Sequence, residues 1–373
     1  MNHFPRTIPR RTFLGLALAT PLAFSSMAED AARPTPEDLK DLLAKIREES
    51  GLPAIAVAAM RDGVLLALGA VGVRKMGSPA TVTASDKFHT GSCTKAMTAT
   101  LIAMFVESGK LAWEKTLADI FPERAAKMNE HYQKVTLEAL LHHRSGSRAN
   151  AGFNSPKQPL VTQRLAYLDS VVNNAPEFKA GDYHYSNAGY IMLGAVLERV
   201  TGQPWETIIQ QRLFRPLGMK SAGFGPPSRP NHLDQPWGHV LKDGKFQSRY
   251  SDNPAGLGPA GTVHCAMADY MKFADFHASL GKRPPGLLNA DSFATLHRPP
   301  AGASYAKGWG TGKRTWAKGR ILSHSGSNTM NLFVVWIAPE INFSVAAATN
   351  AVGEKTDAVL DKVIGELVRK YAG

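Results

Sequence analysis

Apolar positions recur at helical spacing near the start of the chain, where Leu39, Leu42, Leu43 and Ile46 share one face. Thr35-Pro36-Glu37-Asp38 precedes them, a capping residue followed by proline and two acids, which predicts a helix opening at Pro36. The pattern then changes to a run of small and branched apolar residues over 54–60, a polar Arg61-Asp62-Gly63 and a second apolar run over 64–68. That is a β-hairpin turning at Asp-Gly. From 92 to about 300 the spacing is mostly helical, with helices predicted over 92–108, 137–142, 187–201, 204–213 and 266–280. Joints at Pro216, Pro226-Pro227, Pro284-Pro285 and Pro299-Pro300 separate them. Strand-like runs return at 321–324, 331–337 and 343–348, and a last helix is predicted over 355–371. No internal repeat or low-complexity segment interrupts this order.

Helix, strands, helices, strands, helix implies an α/β (α+β) fold. An antiparallel sheet would be built from both chain ends, 29–88 and 301–373, flanked by the N- and C-terminal helices. A mainly helical part, 89–300, would be inserted between them, with the functional site in the cleft where the two parts meet.

Composition narrows the class. The chain has 373 residues, beyond the roughly 250–300 at which a single core tends to divide. Two cysteines exclude a disulfide-dense scaffold and a Cys-built metal site. The formal charge of +12 suggests nucleic acid, but part of it is in a segment that reads as an export signal. Residues 1–28 carry Arg10-Arg11-x-Phe13-Leu14, an apolar run to Phe24 and Ser26-Met27-Ala28, a twin-arginine-type signal with a small-x-small cleavage site. The apolar run is too short to span a bilayer, which takes about 20 residues. Cleavage removes three arginines and no acid, lowering the charge from +12 to +9. The remaining Lys and Arg are scattered, so a nucleic-acid partner is not expected. The expected location is periplasmic or extracellular.

Chemistry-bearing motifs come next. There is no Gly-x-Ser-x-Gly, His-Glu-x-x-His or phosphate-binding loop. Gly256-Leu-Gly258-Pro-Ala-Gly261 matches a dinucleotide fingerprint, but no apolar strand precedes it and Pro259 lacks an N–H, so it reads as a loop. Ser-x-x-Lys occurs at Ser92, Ser279 and Ser304, and only Ser92-Cys-Thr-Lys95 opens a long helix. There the spacing sets Lys95 on the face of Ser92, one turn on. A serine at a helix N-terminus is favoured as an alkoxide, and a lysine kept neutral by burial can take its proton. The plain alternative is an N-cap serine. Tyr185-Ser186-Asn187 opens the helix predicted at 187–201, and His324-Ser325-Gly326-Ser327 ends a strand. His142-His143 reads as packing, because neighbours on a helix point about 100° apart. Pairing of Cys93 with Cys265 is left open.

Ser-x-x-Lys, then Tyr-x-Asn, then (Lys or His)-(Ser or Thr)-Gly, in that order, resembles the serine β-lactamase and penicillin-binding (DD-peptidase) superfamily, closest to its class C-like branch. Gly109-Lys110-Leu111 and Leu140-Leu-His-His-Arg-Ser-Gly146 support the likeness, which covers nearly the whole mature chain. The resemblance implies that Ser92 is the nucleophile, Lys95 shares its proton, and Tyr185 is a second base whose phenolate Lys95 stabilises. It implies that Asn187, His324, Ser325, Gly326 and Ser327 bind substrate, with the N–H groups of Ser92 and Ser327 as oxyanion donors. It implies two-step acyl transfer on an amide or ester, with no metal or cofactor, on a small-molecule or peptide substrate such as cell-wall peptide or a β-lactam. β-Lactamases of this type usually carry lysine where His324 stands. Histidine, charged only part of the time near neutrality, points toward carboxypeptidase or esterase chemistry. An acylated sensor with little turnover is the alternative. Substrate choice is expected in the loops 147–161 and 226–250.

Overall fold

The computed structural model describes residues 35–153 and 157–373. The export signal read at 1–28 lies outside them. The elements that position the site are helix α1 (Lys40–Ser50), strands β1 (Ala54–Arg61) and β2 (Val64–Gly72), and helices α2 (Thr94–Glu107), α3 (Leu160–Val172), α4 (Asn187–Thr201) and α5 (Met267–Ala278). After them come strands β3 (Gly310–Arg314), β4 (Gly319–Ser327), β5 (Leu332–Ala338) and β6 (Phe343–Thr349), then helix α6 (Thr356–Tyr371).

The six strands form one antiparallel sheet in the order β2-β1-β6-β5-β4-β3, so N-terminal and C-terminal segments meet where β1 pairs with β6. The β1–β2 hairpin turns at Asp62 and Gly63, both at positive φ (50° and 78°), as a two-residue Asp-Gly turn demands. Strand alternation then sorts the side chains. Ala54, Ala56, Ala58 and Met60 of β1, with Phe333, Val335 and Ile337 of β5, enter a core shared with α2, α4 and α5. Ile55, Val57, Ala59, Leu332 and Val334 enter a second core beneath α1 and α6, which contribute Leu43, Ile46, Leu360, Val363 and Leu367. Both faces are covered, which explains strands that read as nearly unbroken apolar runs. Helix α2 is buried on almost every side from Thr94 to Ala103, the mark of a helix inside the core.

The structure departs from the sequence expectations in five places. Helix α1 opens at Lys40 rather than Pro36, because Glu37 pairs with the edge of β2 and holds its neighbours extended (Glu37 N–H to Leu66 O, 2.9 Å). The supposed loop 226–250 contains a hairpin, Gly238–Lys242 with Lys245–Arg249, turning at Asp243-Gly244. Helix α3 and edge strand β3 were not anticipated. Gly256–Gly261 is a 3-10 turn and a short helix rather than a loop, wedged so tightly that a Cβ on Gly256 would lie 2.3 Å from the Phe153 ring.

Candidate active site

Ser92 sits in a 3-10 turn, Gly91–Cys93, that runs directly into α2. The turn is clamped from outside by a short strand, Lys87–His89, paired with Val263–Ala266. Thr90 donates to Val263 O through its N–H (2.8 Å) and its hydroxyl (2.9 Å). The tighter winding brings the side chains three apart into register, and Lys95 Nζ lies 3.0 Å from Ser92 Oγ.

Lys95 is fully buried and contacts Asn187 Oδ1 at 2.6 Å and Ala260 O at 2.8 Å. Burial pushes its pKa down from 10.5 to about 7. A neutral amine has two N–H bonds and one lone pair, and this environment offers that set of partners. Protonated, Lys95 donates to Ser92, Asn187 and Ala260; once it loses a proton, two hydrogens stay on Asn187 and Ala260 and the lone pair is left for the Ser92 hydroxyl. No carboxylate appears among these contacts.

Tyr185 precedes α4, whose N-cap Ser186 accepts from Gly189 N–H at 3.0 Å and donates to Arg148 O at 2.6 Å. Ser186 N–H donates to His143 Nδ1 at 3.0 Å, and the His143 ring lies 4.4 Å from the Tyr185 ring and 4.8 Å from that of Tyr305. Lys95 Nζ lies 4.8 Å from the centre of the Tyr185 ring. Burial nevertheless pushes the Tyr185 pKa well up. Burial thus favours the phenol of Tyr185 over the expected phenolate and lowers the charge on Lys95. Asn187 is held at both ends, since its amide donates to Asn150 Oδ1 at 2.8 Å while its oxygen accepts from Lys95.

The strand bearing His324 approaches from the other side. His324 and Gly326 are buried, whereas Ser325 and Ser327 are exposed. Gly326 meets the turn bearing Ser92 so closely that a Cβ there would lie 2.1 Å from Thr90 O and 2.7 Å from Ser92 N. Gly91, at φ 50°, would place a Cβ 2.3 Å from Ser327 N. These two glycines let the Ser327 and Ser92 backbones come side by side. His324 donates from Nδ1 to Ser325 O (2.7 Å) and accepts at Nε2 from the Tyr305 hydroxyl (3.1 Å). Burial, with nearby Lys95, pushes its pKa down to about 3. Dry surroundings thus favour the neutral ring over the partly charged one expected from histidine's ordinary pKa.

The other Ser-x-x-Lys matches are structural. Ser279 Oγ accepts from Arg283 N–H at 3.2 Å, and Lys307 Nζ contacts Glu138 at 2.8 Å and His142 Nε2 at 3.1 Å. His142 thus packs against an ion pair, and Cys93 and Cys265 are both free, buried thiols. A cavity of about 1010 Å³ lined by Trp113, Glu138, His142 and Lys307 does not include Ser92, so the convergence of Lys95, Tyr185 and Asn187 around Ser92, not cavity size, locates the candidate site. Sequence reasoning missed Asn150, Tyr305 and the Ala260 carbonyl. The first was assigned to a loop and the second to a spurious motif. The third is a backbone atom without a residue signature.

The family model described as Beta-lactamase matches residues 39–369. The chain belongs to the β-lactamase family. This is a superfamily of serine hydrolases that includes the penicillin-binding proteins. Penicillin-binding protein 4 of Amycolatopsis lactamdurans is 29% identical over 344 residues, covering 88% of each chain. The class C β-lactamase of Rhodobacter sphaeroides superposes with a TM-score of 0.70 at 20% identity, over 88% of this chain and 98% of that one. The D-alanine carboxypeptidase AmpC of Burkholderia cenocepacia superposes at 0.69 and 21% identity, over 87% and 96%. These two likenesses concern the β-lactamase fold.

Proposed function

We propose that this β-lactamase-family chain is an exported serine hydrolase in which Ser92 forms an acyl-enzyme, acting on an ester or amide in the manner of a carboxypeptidase or esterase. The observation that carries the reading is the buried Lys95 side chain, its Nζ 3.0 Å from Ser92 Oγ and otherwise held by Asn187 Oδ1 and Ala260 O. Its lone pair takes the Ser92 proton as Oγ bonds to the substrate carbonyl carbon. The carbonyl electrons move onto oxygen, where the N–H groups of Ser92 and Ser327 receive the negative charge. Tyr185, protonated at rest, gives its proton to the leaving group as that bond breaks, and Lys95 returns a proton to Tyr185. Water then repeats the sequence on the acyl-enzyme, and Ser92 is released.

Neutral His324 supports substrates other than those held by a cation at that position. The Tyr183, Tyr185 and Tyr305 rings pack against one another, and Tyr183, 45% exposed, carries that aromatic cluster to the surface. The twin-arginine-type segment at 1–28 would place the enzyme where cell-wall peptides are found. The test is a panel of a short-chain nitrophenyl ester, a D-Ala-D-Ala peptide and a chromogenic cephalosporin, each with wild type and Ser92→Ala. Turnover lost in Ser92→Ala, with ester or peptide preferred, supports the reading. Full activity in Ser92→Ala, or labelling of another residue by a serine-directed phosphonate, overturns it.

A further inference from the structure

Behind the two proposed oxyanion donors lies a buried polar chain with no part in the proton transfers above. Gly91, immediately before Ser92, donates its N–H to His89 Nδ1 at 3.1 Å. His89 Nε2 faces both carboxylate oxygens of Asp252, at 3.0 and 3.1 Å. Asp252 Oδ1 also accepts from Asn253 N–H at 2.7 Å and from the Asn328 amide at 2.8 Å. Asn328 immediately follows Ser327, and its Oδ1 accepts from Met330 N–H, Asn331 N–H and the Asn331 amide at 3.3, 3.0 and 3.0 Å. His89 and Asn328 are 0% and 3% exposed.

The chemistry of each link fixes its direction. Gly91 can only donate, so Nδ1 must accept and the ring proton must be on Nε2, where Asp252 holds it. The carboxylate can only accept, so the Asn328 amide must turn its nitrogen toward Asp252 and its oxygen toward the loop after β4. One carboxylate thus orients two segments that are 236 positions apart by the numbering of Gly91 and Ser327. The segment after β4 is conformationally demanding, since Thr329, a β-branched residue, has φ 70°. Such conformations persist only where surrounding bonds over-determine them.

We propose that His89, Asp252 and Asn328 act as one positioning unit that sets the spacing between the Ser92 and Ser327 N–H groups. This rests on the Ser92 mechanism proposed above. Because the oxyanion forms in both acylation and deacylation, a mispositioned donor slows both steps alike. KM for an ester then changes little while kcat falls.

The experiment measures nitrophenyl-ester kinetics and inhibition by phenylboronic acid for His89→Ala, Asn328→Ala, their double variant and the near-isosteric Asp252→Asn. Each rate is expressed per site labelled by a serine-directed phosphonate, which removes unfolded protein from the count. The expected result is a kcat loss of roughly 10- to 100-fold in each single variant, with KM within about threefold, since one oxyanion donor is worth about 10²–10³. The boronate, whose tetrahedral oxygen occupies the oxyanion position, should weaken in parallel. The double variant should fall little below the worse single one, as members of one unit do. Labelled variants within twofold of wild-type kcat, or losses that multiply in the double variant, overturn the proposal. If His89→Ala does not fold, Asn328→Ala and Asp252→Asn decide by the same criteria. Ser92→Ala is run alongside: retained turnover there refutes the nucleophile assignment itself, which is a different failure.

Discussion

Lys95→Met removes a buried base while keeping an unbranched side chain of similar length. In the folded protein the amine has its pKa lowered from 10.5 to about 7, because burial disfavours the cation. For a base with a depressed folded pKa, folding expels the proton. The cost is absent above the unfolded value, grows as pH falls, and is complete below the folded value. A shift of this size corresponds to about 4–5 kcal/mol at pH 7 and about 2 kcal/mol at pH 9. Methionine carries no such cost, although it leaves Asn187 Oδ1 and Ala260 O without their donor, a penalty that does not depend on pH. The stability of Lys95→Met minus that of wild type should therefore shrink by about 2 kcal/mol between pH 7 and pH 9. Groups common to both proteins cancel in the difference. Urea midpoints and slopes at the two pH values measure it. A difference that stays constant, or grows with pH, would show that Lys95 keeps its proton in the folded state and would remove the lone pair on which the mechanism depends.

The same amine predicts that kcat/KM for a neutral ester rises with pH through about 7 as Lys95 loses its proton. His324 adds no second step between pH 5 and 8, since it titrates at about 3. Gly326→Ala should cost roughly 1–3 kcal/mol by overpacking, and more than about 100-fold in kcat, because its Cβ would displace the strand from Ser92 N. Thermal melts and ester kinetics test both. Arg164 binds Glu198 Oε1 through Nε at 2.9 Å and Glu206 Oε2 at 2.8 Å, so Arg164→Ala strands two carboxylates and should cost about 3–5 kcal/mol in urea unfolding. Cys93 and Cys265, buried and with pKa values pushed up, Cys93 to about 12, should resist iodoacetamide in the native protein and both react in denaturant.

What could be read from sequence and what could not follow a physical division. The sheet was legible because alternation and apolar runs record burial on its two faces, as in β1 and β5. The Ser92, Tyr185 and His324 motifs were legible because their chemistry requires particular residue types. Strand β3 (Gly-Thr-Gly-Lys-Arg) and the hairpin Gly238–Lys242 with Lys245–Arg249 carry too few apolar residues to show an alternation. Helix α1 was placed too early because Pro36 fits a first helical turn locally, while Glu37 is taken by the edge of β2. The charge of His324 and the resting form of Tyr185 depend on how dry their surroundings are, which is tertiary information. Asn150 and Ala260 hold Asn187 and Lys95 by contacts across segments far apart in the chain.

That tertiary dependence also explains why the site draws on such distant positions. An amine can be the resting base at neutral pH only if no carboxylate and little water reach it, so it must sit inside the core. Helix α2 provides this by being buried on nearly every side. The proposed oxyanion donors must instead be open to substrate: Ser327 is exposed at the end of a sheet strand, and Ser92 lies beside it at the start of the helix. Joining a dry base to an open pair of donors requires the strand to meet the start of the buried helix without side chains between them, and Gly91 and Gly326 occupy that crossing. It follows that a substitution admitting water beside Lys95, even one that leaves Ser92 and Ser327 in place, would raise the lysine pKa. The onset of activity would then move to higher pH before the rate at high pH changed.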